Sequence, residues 1–147
     1  MKKMFTLRGV SHCGKSSKVK DIANWILANY PHAINHGIDF TKGDILGILQ
    51  INKLKIGFVS AGDDLDCVLG NDSILEIDGT IDIIVNTCRT KGVSRKHLAD
   101  NYNFSTGWLI KNIFVTKYDP PNPSLESIRD LKIMEELKSW LTGLEKL

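Results

Sequence analysis

The chain has 147 residues, one domain's worth at a typical ~150, and 19 Lys and Arg against 17 Asp and Glu leave a formal charge of +2. With 42 % hydrophobic and 24 % charged residues, it is neither a disordered tail, a collagen-like fibre nor a supercharged nucleic-acid coat protein. Only locally concentrated positive charge remains available for an anionic ligand.

In chain order, residues 3–7 read as a short apolar strand. Residues 15–30 carry Val19, Ile22, Ile26 and Tyr30 at helical spacing, and Pro31 ends the run. Residues 45–51 and 54–59 are strand-like and separated only by Asn52-Lys53, too short for a crossover, so an antiparallel hairpin is expected. Residues 65–78 read as partly helical, with Gly70, Asn71 and Asp72 interrupting. Residues 81–85 form a near-continuous apolar run, as in a parallel strand buried on both faces, and 109–115 another. A short helix is expected at 93–102 between them. After Pro120-Pro121-Asn122-Pro123, Ser124 reads as an N-cap. It opens a final helix, 124–146, with Leu125, Ile128, Leu131, Met134, Leu137, Leu141 and Leu144 as its apolar stripe. Strand and helix alternate, which predicts one α/β domain over residues 1–147, three-layered, with a mostly parallel sheet of about five strands including one antiparallel hairpin strand.

The segment Gly9-Val10-Ser11-His12-Cys13-Gly14-Lys15-Ser16 fits G-x-x-x-x-G-K-[ST] at every fixed position, after a strand and before a helix. The glycines let the backbone curl so that its N–H groups point at phosphate oxygens. Lys15 is placed to reach the β- and γ-phosphates and the Ser16 hydroxyl to ligate Mg2+. Ser17, next on the same turn, completes the expected binding set. On these residues the chain resembles the P-loop NTPase superfamily, specifically over residues 3–30 and diffusely beyond. The resemblance implies a Walker A loop, a P-loop fold and binding of a nucleoside triphosphate with Mg2+.

Residues 54–64 then look like a Walker B region whose acid is displaced past Ser60-Ala61-Gly62. Asp63 is expected to serve Mg2+ and Asp64 the attacking water or hydroxyl, with the assignment between them open. Beyond the 81–85 strand, Arg89, Lys91, Arg95 and Lys96 bring positive charge to a strand end, where ligands of open α/β sheets bind. Arg89, nearest the strand, is expected to stabilise charge on a transferred phosphoryl group, whereas Arg95 and Lys96 read as a solvated helix start.

Thr116-Lys117-Tyr118-Asp119 resembles the [NT]KxD guanine-reading motif of GTPases, and Thr41 stands where a switch threonine would. Ser60-Ala61-Gly62-Asp63 departs from the GTPase Asp-x-x-Gly, and no Ser-Ala-Lys element follows Asp119. The expected function is therefore Mg2+-dependent binding and hydrolysis of a nucleoside triphosphate, with ATP favoured over GTP on frequency alone. Two alternatives stay open: a small kinase transferring the γ-phosphate to a small acceptor, and a GTPase-like switch or regulatory module using residues 116–119. The latter would act through a protein partner or as a homo-oligomer.

Other residues exclude more than they assign. No apolar run approaches the ~18–20 residues of a membrane span, and the charged start has no apolar segment behind it, so no membrane partner is expected. Cys13, Cys67 and Cys88, odd in number and widely spaced, suit the reduced thiols of a cytoplasmic protein. Aromatic residues, 7 % of the chain, do not interleave with basic ones, so no nucleic-acid stacking platform is expected.

Overall fold

A computed structural model describes residues 2–10 and 13–142. The first strand, β1 (Lys2–Arg8), feeds through the glycine-containing loop into helix α1 (Lys15–Asn29). Val19, Ile22, Ala23 and Ile26 of α1 are spaced for one face and are fully buried. The Tyr30 N–H closes the helix on the Ile26 carbonyl. A three-residue strand β2 (Ile34–His36) then precedes β3 (Leu46–Ile51) and β4 (Leu54–Val59). Asn52, at positive φ in the two-residue turn, reverses the chain into the antiparallel β3–β4 hairpin.

The sheet has six strands in the order β2-β3-β4-β5-β1-β6, where β5 is Ile83–Cys88 and β6 is Trp108–Phe114. The β1, β4, β5 and β6 strands are mutually parallel, and β3 is antiparallel to both neighbours. The expected mostly parallel α/β sheet with an antiparallel hairpin strand is therefore present. The expected five strands are corrected to six, because β2 is short, solvent-exposed and lacks the apolar alternation that marks a strand. The β5 strand also runs further than its apolar stretch: Asn86 and Thr87 continue the ladder beside Thr6 and Leu7 of β1.

Helices cover both faces. Residues of α1 and of α5 (Pro123–Leu141) pack with Phe5, Leu7, Ile56, Phe58 and Val85 on one side. On the other side α2 (Leu65–Val68), α3 (Gly70–Ile77) and α4 (Val93–Asn101) supply Val68, Ile74 and Leu98 against Met4, Ile84 and Trp108. The break between α2 and α3 falls at Leu69, not at the expected Gly70-Asn71-Asp72, which open α3. Asn71 and Asp72 do not interrupt the helix because their side chains are engaged elsewhere, with Val68, Asn86, His97 and Tyr102.

Two expectations for the last helix are corrected. Its N-cap is Asn122, whose side chain accepts from the Leu125 N–H while Pro123 occupies the first turn. The helix runs Pro123–Leu141, not 124–146, and Leu144 lies outside the described residues. The buried stripe is Ile133, Leu137 and Leu141, whereas Leu125, Ile128 and Leu131 are exposed because the first half of α5 flanks the edge strand β6. Trp140 packs on Phe5, ring centroids 4.7 Å apart. No helix among the described residues is long and apolar enough to cross a membrane.

Candidate functional site

The loop between β1 and α1 is held at both ends. The Gly9 N–H donates to the Cys88 carbonyl of β5 at 3.2 Å, and a Cβ on Gly9 would stand 2.5 Å from Cys13 Sγ and 2.8 Å from the Val115 carbonyl. Only glycine fits there. Gly14 is the N-cap of α1, in the left-handed region at φ 95°, and supplies no side-chain hydrogen bond, and the first turn holds no acid. A helix start without a side-chain cap presents N–H groups and a positive dipole end that suit an anion. Val10 is exposed and Cys13 is buried, while Ser11 and His12 lie outside the described residues.

Lys15, only 4 % exposed, places its three donor protons within the loop: Nζ donates to the Gly9 and Val10 carbonyls, each at 3.0 Å, and to Asp63 Oδ1 at 2.7 Å. Asp63 keeps a side chain 47 % exposed. The Ser16 hydroxyl donates to the Ser60 carbonyl at 2.9 Å, and Ser17 Oγ turns back to the Gly14 carbonyl. Cys13, Gly14, Lys15, Ser16, Ser17 and Asp63 line one cavity of about 230 Å³. The two segments singled out by their sequences, 9–17 and 60–64, therefore meet.

Gly62 sets where Asp63 stands. A Cβ there would lie 2.0 Å from the Thr87 carbonyl, so the turn after β4 lies flat against the end of β5. Ser60, fully buried at the end of β4, accepts from the Ile45 N–H on Oγ and donates to Asp44 Oδ1 at 3.0 Å. An acid hydrogen-bonded at the strand end is thus Asp44, two residues before β3, which sequence spacing did not single out. Asp44 also lines a neighbouring cavity of about 240 Å³ with Asp39, Lys42 and Cys67. Asp64 is the N-cap of α2, accepting from the Cys67 N–H at 2.8 Å, and its hydrogen bond with the Cys67 thiol pushes that thiol's pKa up.

Arg89 follows directly on β5 and is exposed, as are Lys91 and Arg95, and Lys96 pairs with Asp100 one turn on. Thr41 is exposed, its hydroxyl and N–H both on Asp39 Oδ1.

No protein-family model matches the chain, and neither a curated protein nor a solved structure matches it.

Residues 116–119 leave β6 beside the loop, and one residue bonded to them also lies close to it. Arg129 of α5, unsuspected from sequence, donates through Nη1 to the Thr116 carbonyl at 2.6 Å and lies over the Tyr118 ring at 5.9 Å. Its Nη2 stands 3.2 Å from the Cβ position of Gly14 and pairs with Asp130 at 2.9 Å. No spacing rule could have found it, since the contact depends on β6 lying next to β1 in the sheet.

Proposed function

We propose that the chain is a P-loop nucleotide-binding protein that takes a nucleoside triphosphate at Gly9–Ser17 and transfers the γ-phosphoryl group to water. The observation that carries this reading is the convergence of Lys15, Ser16 and Asp63 on one cavity at an uncapped helix start. Lys15 Nζ would exchange the Asp63 carboxylate for phosphate oxygens, keeping its two loop carbonyls. The donors fit Mg2+, a hard cation that takes hydroxyl and carboxylate oxygens: Ser16 and Asp63 would hold it. Mg2+ would supply neutralisation of the phosphate charge. Asp64 and Arg89 remain the proposed nucleophile-orienting and charge-stabilising residues, with Asp64 also serving as a helix cap.

A guanine-specific switch is the second reading, and Arg129 favours it by bonding the Thr116 carbonyl while lying beside Gly14 of the same loop. A thermal-shift panel tests both. At a hundredfold excess over Kd, ligand binding adds about 2.7 kcal/mol, which for this size raises Tm by roughly 5–10 °C. Mg2+–ATP or Mg2+–GTP should give that rise and Lys15→Ala should lose it. No shift with any triphosphate would overturn the reading. GTP acting alone, and only with Asp119 intact, would select the second.

A further inference from the structure

The turn after β4 contributes to two cavities. Asp63 lines the phosphate-loop cavity, whereas Ala61 lines the cavity of about 240 Å³ that Asp44 shares with Asp39, Lys42 and Cys67. Ser60 stands at the boundary. Its carbonyl accepts from Ser16, which lines the first cavity, and its hydroxyl donates to Asp44, which lines the second. Asp44 is therefore two hydrogen bonds from the Ser16 hydroxyl, at most about 10 Å given the reach of one serine. A molecule in the second cavity would lie next to the phosphates of a nucleotide in the first.

The second cavity combines apolar walls with a few polar groups, as small-molecule sites do. Buried Ile45 and Val59, with half-buried Ala61, supply the apolar part. Asp39, Lys42 and Asp44 are exposed and supply the charge. The volume falls short of the ~300–1,000 Å³ of drug-sized sites, so the occupant has few heavy atoms. Two carboxylates against one ammonium leave the lining negative, which suits a cation and disfavours a phosphate-bearing molecule. Thr41, through its hydroxyl and its N–H, holds the Asp39 carboxyl below its ordinary pKa, so that group is charged at neutral pH. Asp44 spends Oδ1 on the Ser60 hydroxyl and, among the described residues, nothing bonds its other oxygen. A carboxylate oxygen fixed in place with its partner oxygen unused is suited to accept a proton from a bound hydroxyl.

We propose that this cavity holds a phosphoryl acceptor, a small amino alcohol whose ammonium group meets Asp39 and whose hydroxyl meets Asp44. The proposal rests on the nucleotide reading above and gives the γ-phosphoryl group a second destination beside water. The apolar stem of the acceptor lies on Ile45, Val59 and Ala61. Its hydroxyl oxygen bonds to the γ-phosphorus as the bond from that phosphorus to the bridging oxygen breaks. The electron pair leaves with the nucleoside diphosphate, and the hydroxyl proton passes to Asp44 and then to solvent. Ser60 is the positioning residue, since it fixes the Asp44 carboxylate relative to the first turn of α1.

The test incubates the protein with Mg2+–ATP or Mg2+–GTP and one of three probes that differ in charge: 5-amino-1-pentanol, 1,5-pentanediol and 5-hydroxypentanoate. Phosphorus NMR separates a phosphate monoester from free phosphate. 5-Amino-1-pentanol should give monoester and nucleoside diphosphate in equal amounts above the free-phosphate background. The diol should need about two- to fivefold more for half-saturation, the worth of one exposed ion pair, and 5-hydroxypentanoate should give no monoester. Asp39→Asn should raise the half-saturating concentration of 5-amino-1-pentanol by that same factor and keep the saturated transfer rate. Asp44→Asn, which still offers an oxygen to the Ser60 hydroxyl, should lower the saturated transfer rate about a hundredfold or more. A lower urea midpoint in Asp44→Asn with the saturated rate intact would mean that Asp44 serves only the fold, and overturns the proposal. Equal use of all three probes overturns the assigned class. Free phosphate alone in every arm, with the triphosphate still raising Tm, overturns the acceptor site and leaves the nucleotide reading standing. No rise in Tm with any triphosphate overturns both.

Discussion

Ser16 and Ser60 meet at one backbone oxygen: the Ser16 hydroxyl donates to the Ser60 carbonyl at 2.9 Å, and Thr87 donates to the same oxygen at 2.7 Å. The first turn of α1 is thereby tied to the ends of both β4 and β5. Ser16→Ala should cost about 0.5–1.5 kcal/mol of stability, the worth of an ordinary hydrogen bond. Its effect on nucleotide should be larger and selective. Titration with and without Mg2+ should show the metal's contribution to affinity gone and metal-free binding nearly intact.

Asp63 holds Lys15 Nζ at 2.7 Å and, on the proposed function, would compete with a phosphate for it. A half-exposed pair of this kind is worth about 0.5–1 kcal/mol after solvent screening, so Asp63→Asn should tighten metal-free nucleotide binding about two- to fivefold. The same variant should lose Mg2+-dependent phosphate release. Affinity and turnover measured on one preparation separate the two effects, and weaker metal-free binding would contradict the competition.

Gly62→Ala should be among the most damaging single methyl additions. Its Cβ would meet the Thr87 carbonyl at 2.0 Å, a backbone atom in a central strand that cannot turn aside. Overpacking of this kind costs about 1–3 kcal/mol, read as a lower urea midpoint. Gly43→Ala is the control, since nothing lies within 4 Å of its Cβ position.

Asp78 gives the fold an acid-sensitive contact away from the site. The Lys55 ammonium, then Thr80, hold its carboxyl well below the usual carboxylate range. Because the folded state favours the charged form, its stabilisation is present above the unfolded carboxylate pKa of about 3.9 and fades as pH falls further. Asp78→Asn should therefore lower Tm at pH 7, and the gap from the parent protein should close on acidification. A gap independent of pH would count against the carboxylate.

How much of this was legible in the sequence depended on how local each signal was. The loop from Gly9 to Ser16, the helix after it and the two-residue hairpin turn were readable because spacing and turn length decide them within a few residues. The burial of α5 was not, because Leu125, Ile128 and Leu131 have the right period but face the sheet's edge, beyond the strands that would cover them. Arg129 and Asp44 carry no motif, and each reaches its neighbours through strand order or helix placement. The meeting of Asp63 with Lys15 falls between these cases: its residues were visible, but only Gly62 lying flat on Thr87 explains their approach.

The strand order has one more consequence. Because β5 lies between β1 and β4, the strand that leads into the Gly9–Ser16 loop and the strand that leads to Asp63 are two inter-strand spacings apart, about 9.5 Å. That width is a gauge cut into the backbone. Mutations on either loop can change the charge that a ligand meets, but the gauge itself yields only if β5 loses its pairing. Size discrimination between the two walls would then belong to the sheet, and charge discrimination to the side chains standing on it.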